Sequence, residues 1–216
     1  MSALGLFGGT FDPVHYGHLK PVAEAAKEVG LVQIRLLPCH IPPHKATPSV
    51  SASMRLHMLR LVCEDWPLFE VDDRELRRHK PSYSVDTLNE YREEVGDRPL
   101  LFFMGMDSLQ TLHTWYRWQE ILSLCHLVVC RRGESKPTMA VEIQDLLDRH
   151  QCHDAAALHH QPAGSVYLAS TSFVNLSSTS LRQKLASGKV ESALLPPKVL
   201  TYIQEHGLYG CEAHQR

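Results

Sequence analysis

LGLFGGTFDPVHYGHL, residues 4–19, passes from an apolar run through glycines into a segment that holds His15, Gly17 and His18. Residues 4–9 have the composition of a buried strand ended by glycines. From His18 onward Leu19, Val22, Ala23, Ala26 and Val29 fall on one helical face, and Gly30 marks the stop. That reading puts Pro21 in the first helical turn, where proline is tolerated. A strand, a glycine turn and a helix in this order are the first unit of an α/β fold.

The alternation repeats along the chain. LVQIRLLP (31–38) reads as a strand, CHIPPHKATPSVSAS (39–53) as a loop, MRLHMLRLVCED (54–65) as a helix and LFEVDD (68–73) as a strand. SVDTLNEYREEV (84–95) predicts a helix capped by Ser84, and PLLFFMG (99–105) is the clearest buried strand. HLVVCRR (126–132) reads as another strand. Residues 133–165 are polar and histidine-rich; they predict a helix and irregular loop, with His153, His159 and His160 in solvent. SVYLAS (165–170) reads as a late strand, followed by helices over 178–188 and 196–207, each ended by a glycine. The expectation is a parallel sheet covered by helices on both faces, one domain over 1–209, and a disordered tail over 210–216.

Composition is that of a globular protein with a real core: 216 residues, 44% hydrophobic and 21% charged. A formal charge of −2 provides no basic field for a nucleic-acid polymer. No apolar run is long enough to span a membrane, and no signal peptide precedes Thr10 and Asp12. Six scattered cysteines without a C-x-x-C pair read as reduced thiols in a cytoplasmic protein. Oligomeric state leaves no mark in the sequence.

In an open parallel sheet, ligands bind beyond the carboxyl ends of the strands. Four stretches fall there: 8–18, 42–45, 105–107 and 177–182. Glycines after a strand admit a ligand close to the backbone, and the following helix start offers free N–H groups to an anion. His18 and Lys20 lie in that first turn, where a cation opposes the helix dipole by roughly 0.3–1 kcal/mol unless an anion stands between. SSTSLR (177–182) repeats the arrangement, with Ser177, Ser178 and Thr179 at a helix start and Arg182 one turn in. Helix capping alone accounts for those hydroxyls, but two such starts suggest a polyphosphate held between them. A metal pair at His15 and His18 finds no third ligand nearby in sequence. GLFGGTF is not the dinucleotide fingerprint G-x-G-x-x-G.

GGTFDPVHYGHL resembles the G-x-F-D-P-x-H-x-G-H segment of the nucleotidylyltransferase superfamily, and SSTSLR resembles its partner motif I-S-S-T-x-x-R. Within the superfamily the chain is most similar to the bacterial nicotinate mononucleotide adenylyltransferases. The matches are PPHK (42–45), PSYSVDTL (81–88), GMDSL (105–109), TWYRWQEIL (114–122), LVVCRR (127–132) and YIQEHGLY (202–209). The resemblance implies a Rossmann-like doubly wound parallel sheet with C-terminal helices. It also implies a reaction in NAD biosynthesis: ATP plus nicotinate mononucleotide gives nicotinate adenine dinucleotide and pyrophosphate.

The resemblance also implies roles for individual residues. His15, His18 and Arg182 would serve the chemistry at the ATP phosphates. Gly8, Gly9, Thr10 and Phe11 would contact ATP along the first loop, Gly105 and Asp107 would meet the adenosine ribose, and Ser177, Ser178 and Thr179 would hold the β- and γ-phosphates. His44 and Lys45 would meet the mononucleotide phosphate, while Tyr83, Ser84, Thr87 and Trp115 would line the nicotinate pocket. Magnesium would arrive with ATP, without a dedicated protein site. Without the family context, Trp115 reads better as a core tryptophan.

Two departures stand out. Ser84 replaces the threonine common in the family, and CRRGES lacks the proline that often follows the arginine pair, which leaves Arg131 and Arg132 without an assigned role. Two other readings keep the same segments: transfer to nicotinamide mononucleotide or another phosphorylated acceptor, and a nucleotide sensor without turnover.

Overall fold

The computed structural model of the chain describes residues 2–41, 47–132, 138–172, 174–189 and 191–211. In chain order the elements begin with β1 (Leu4–Gly9), α1 (Tyr16–Glu28), β2 (Ile34–Pro38), α2 (Ala52–Asp65) and β3 (Phe69–Val71). They continue with α3 (Ser84–Val95), β4 (Leu100–Gly105), α4 (Met106–Thr111), α5 (Ile121–Leu124) and β5 (His126–Arg132). The last are α6 (Val141–His150), β6 (Gln151–Cys152), β7 (Val166–Thr171), α7 (Ser178–Ala186) and α8 (Pro197–Glu205). Short 3-10 turns join several of them, among them Arg74–Arg77 and Leu208–Gly210.

All seven strands pair in parallel, in the order β3-β2-β1-β4-β5-β7-β6. The chain winds outward from β1 to β3, crosses back, and winds the other way from β4. The direction of winding reverses between β1 and β4, and a crevice opens at their carboxyl ends. This is the doubly wound Rossmann-like sheet expected from the alternation and the family motifs.

Period-two alternation along the strands sorts the core into two layers. Leu101, Phe103 and Val128 face Val22 and Ala25 of α1, Met58 and Leu59 of α2, and Leu181 and Ile203 of the C-terminal helices. Leu100, Phe102, Met104 and Val129 face Leu88 and Tyr91 of α3, Leu109 of α4, Ile121 of α5 and Ile143 of α6. β4, at the centre, therefore reads as a continuous apolar run although its neighbouring side chains point opposite ways.

Several expected boundaries move, for local reasons. α1 begins at Tyr16 with His15 as N-cap, two residues before the expected start, so Pro21 lies inside the helix and past its first turn. α2 begins earlier than expected, because the Ser51 hydroxyl accepts from the Met54 N–H. The N-cap of α3 is Tyr83; Ser84 is the first helical residue and does not cap. The two-residue β6, beside β7, was unexpected. His153 and His160 are exposed, but His159 is half-buried, with Nε2 2.7 Å from the Val29 carbonyl oxygen; the expectation of solvent was wrong for it. Gly210 packs near Ala186 and the Cys211 thiol lies 3.7 Å from the Leu185 carbonyl oxygen, so these two tail residues lie against α7. Residues 212–216 lie outside the described residues. Among the described residues, no helix is long and apolar enough to cross a membrane.

Candidate active site

The crevice between β1 and β4 widens into a cavity of about 550 Å³. Gly8, Gly9 and Thr10 from the end of β1 form one wall, and Gly105, Asp107 and Ser108 from the β4–α4 junction form another. Tyr83 and Ser84 bring the start of α3 to its rim, and Trp115 and Tyr116 close the far side. The Tyr83 and Tyr116 rings lie 4.5 Å apart, a tilted aromatic pair in the lining. The size suits a small ligand with an aromatic end.

Beside this cavity two helix starts meet. α1 begins after the 10–15 loop, and α7 begins at Ser178, capped by Ser177 in a reciprocal bond pair with Ser180. The Ser178 hydroxyl lies 3.2 Å from His15 Nε2. The His15 and His18 rings stack on each other at 3.8 Å with an interplanar angle of 22°. The rings thus leave no gap between them, and an anion would meet the stacked pair from one side. Gly17 makes this packing possible: a Cβ there would fall 2.9 Å from the His15 ring and 3.1 Å from the Leu176 carbonyl oxygen. Lys20, read from sequence as a partner for the same anion, has its ammonium over the Tyr16 ring at 4.6 Å.

Two arginines hold the 10–13 loop. Arg182 Nη1 donates to the Asp12 carbonyl oxygen at 2.7 Å, and its Nη2 reaches the Thr179 hydroxyl at 3.4 Å. Arg55 Nη1 donates to the Thr10 carbonyl oxygen at 2.7 Å. Arg55 is 1% exposed, a buried cation directly behind the loop. Phe11 in that loop, Arg117 beside the aromatic end, and Tyr209 near the chain end are the non-glycine residues with positive φ among those described. All three belong to segments that build or adjoin the site, where backbone strain tends to collect.

The expected site residues thus fall into groups. Gly8, Gly9, Thr10, Gly105, Asp107, Tyr83, Ser84 and Trp115 line the cavity. His15, His18, Ser178, Thr179 and Arg182 gather at the joined helix starts, with Phe11 edge-on to His18 at 5.4 Å. Thr87 stands apart: it is buried, its hydroxyl donates to Glu75 Oε1 at 2.6 Å and accepts from Arg78 Nη1 at 2.9 Å, and it does not line the cavity. His44, Lys45 and the side chains of Arg131 and Arg132 lie outside what the structure describes.

Sequence reasoning missed Arg55, Glu75, Tyr116 and Tyr209. Arg55 had a signal. It shares the buried face of α2 with Met58, Leu59 and Val62, so a cation occupies a position the helical period reserves for the core. Glu75 lines the cavity at 6% exposure, and burial pushes its carboxyl above the ordinary range while the Thr87 bond and the Arg78 charge pull the other way.

Known proteins carry the same plan. A "Probable nicotinate-nucleotide adenylyltransferase" of Pectobacterium atrosepticum is 51% identical over 96% of this chain and 99% of its own length. A "Nicotinate-nucleotide adenylyltransferase" of Escherichia coli O6:H1 is 49% identical over 96% of this chain and 99% of its own. The cytidylyltransferase-like family model matches residues 6–184. The chain belongs to the cytidylyltransferase-like family, among the nicotinate-nucleotide adenylyltransferases. In this nucleotidyltransferase the matched span begins in β1 and ends in α7, so it includes both helix starts that meet at His15 and Ser178.

Solved structures share the fold at low identity. A Plasmodium falciparum nicotinic acid mononucleotide adenylyltransferase complexed with NaAD has a TM-score of 0.69 at 17% identity, covering 97% of this chain and 98% of that one. A putative Vibrio parahaemolyticus nicotinate-nucleotide adenylyltransferase has a TM-score of 0.65 at 16% identity, covering 97% and 96%.

Proposed function

We propose that this chain transfers the adenylyl group of ATP to the phosphate of nicotinate mononucleotide, giving nicotinate adenine dinucleotide and pyrophosphate. The observation that carries the reading is the Ser178–His15 contact, which joins two cation-bearing helix starts beside a cavity with Trp115 at its far side. An acceptor phosphate oxygen attacks the α-phosphorus, the bond to the bridging oxygen of the β-phosphate breaks, and pyrophosphate leaves. Such a displacement needs alignment and charge neutralisation more than covalent help.

The residues divide that work. His15 and His18 neutralise charge that builds on the α-phosphate and the leaving group. Ser177, Ser178, Thr179 and Arg182 hold the β- and γ-phosphates against the N–H groups of α7. Gly8, Gly9, Thr10 and Phe11 let the nucleotide approach the loop, and Gly105 and Asp107 face its ribose. Trp115 stacks on the pyridine ring. Tyr83 and Ser84 place the free N–H groups of α3 toward the pyridine carboxylate, which favours nicotinate over nicotinamide. Thr87 supports this helix start through Glu75 rather than touching the ligand. His44 and Lys45 remain the proposed contacts of the mononucleotide phosphate.

Of the groups at the helix starts, the imidazoles and guanidinium do not suit magnesium, and the hydroxyls are neutral oxygens that supply no anionic ligand. Both oxygens of the nearby Asp12 carboxylate already accept hydrogen bonds. The ion would therefore come with ATP and would supply positive charge that offsets that of the phosphates. Six cysteines without a disulfide suit a reducing compartment, and we assign the reaction to the cytoplasm.

Pyrophosphate release, measured with ATP and each mononucleotide in turn, tests the reading. The expected result is release with a strong preference for the nicotinate form. Equal efficiency with nicotinamide mononucleotide would overturn the selectivity, and ATP binding without release would favour a sensor.

A further inference from the structure

The end of the chain returns to the phosphate side of the site. The Tyr209 hydroxyl donates to Asp12 Oδ1 at 2.9 Å, and the Ser49 backbone N–H donates to Asp12 Oδ2 at 2.7 Å. Asp12 is 5% exposed, so these donors replace water at its carboxylate. Arg182 Nη1 stands 3.7 Å from the same Oδ2, too far for a hydrogen bond, while it donates to the Asp12 backbone carbonyl.

An arginine beside a carboxylate tends to close into a two-bonded fork. Here each carboxylate oxygen already has a donor, and the guanidinium is held at ion-pair distance. Its second nitrogen stays on the side of Thr179, at the start of α7. Burial, then the Asp12 charge, push the Tyr209 hydroxyl well above the ordinary tyrosine range, so it remains a donor at any working pH.

Backbone strain points to the same residue. Tyr209 has φ +57°, within the 3-10 turn Leu208–Gly210. A side chain in that region costs about 1–2 kcal/mol, and an observed outlier of this kind invites a functional reading. The turn packs on the end of α7, the helix that carries Arg182. The Tyr209 ring is thus fixed to the same element whose guanidinium it influences.

We propose that Tyr209 is a positioning residue: by occupying one oxygen of Asp12, it keeps Arg182 turned toward the bound triphosphate and prevents its capture by the carboxylate. This rests on the functional reading above for the ATP site, but not on the identity of the acceptor.

The test compares the full-length chain with Tyr209→Phe, Arg182→Ala and the double variant. Binding of magnesium-ATP is measured by calorimetry without acceptor, and KM for both substrates by pyrophosphate release. Tyr209→Phe keeps the ring and loses only the donor. It should weaken ATP binding about tenfold, as expected for one hydrogen bond near a charged group, and leave the acceptor KM unchanged. In the Arg182→Ala background it should have no further effect. Unchanged ATP affinity in Tyr209→Phe, or an equal loss in both backgrounds, overturns the proposal.

Should Tyr209→Phe fold poorly, Asp12→Asn removes the competing charge and should bind ATP at least as well as the parent. A loss as large as that of Arg182→Ala would count against the proposal. ATP binding without turnover on nicotinate mononucleotide would sink the acceptor assignment and leave these binding results readable. A parent chain that binds no ATP would take down both.

Discussion

Ser178 Oγ lies 3.2 Å from His15 Nε2, a contact between residues 163 positions apart. It fixes the start of α7 against the start of α1. The same imidazole stacks on His18, so one hydroxyl orients a pair of rings. Ser178→Ala removes the contact while the Ser177 cap of α7 remains. A net hydrogen bond of about 1 kcal/mol corresponds to a fall in kcat/KM of roughly fivefold. The melting temperature should move little, because Ser178 is half-buried and outside the apolar core. Pyrophosphate-release kinetics beside a thermal melt check both halves; a full-rate variant would show that the contact has no catalytic role.

Gly17→Ala tests the packing of the two imidazoles. The added methyl would fall 2.9 Å from the His15 ring and 3.1 Å from the Leu176 carbonyl oxygen. The carbonyl is backbone and cannot swing aside, and the ring can move only by leaving its stack on His18. Misplacement of this size can cost about 10²-fold in rate. Alanine is also the better helix former by about 1 kcal/mol, which offsets part of the strain in the folded state. The expected variant is therefore nearly as stable as the parent but slower by about two orders of magnitude. Parent-like kcat would refute the need for glycine.

The strands were legible because each central one is an apolar run buried on both faces: LLFFMG forms β4 with Leu100 through Met104 all buried. The meeting of the two helix starts was legible where motifs mark them, as at His15, His18 and Arg182. The site was illegible where burial reverses a residue's usual place. By residue type Arg55 looks like a solvated helical cation, and only its register with Met58, Leu59 and Val62 marks its place in the core behind Thr10. Thr87 looks like a ligand contact, yet its buried hydroxyl is used on Glu75 and Arg78. The Tyr209–Asp12 contact spans 197 positions and depends on how the last turn packs, which no local pattern encodes.

Glu75 gives the chain a pH-dependent element in the lining of the cavity. Its carboxyl is buried and accepts from Thr87 at 2.6 Å. Burial raises its folded pKa above the ordinary 4.5, and the opposing bond from Thr87 and charge of Arg78 do not cancel the rise. The folded chain therefore holds this proton more tightly than the unfolded chain. That contribution to stability is fully present below pH 4.5 and is lost as pH rises through the folded value. Glu75→Gln keeps an oxygen that accepts from Thr87 and abolishes the titration. Relative to the parent, the variant should gain stability as pH rises from 4.5 through the folded value of Glu75, and above that value it should melt no lower than the parent. Thermal melts of both proteins across this range provide the check. A difference that does not change with pH would mean that Glu75 titrates at its ordinary value in the fold.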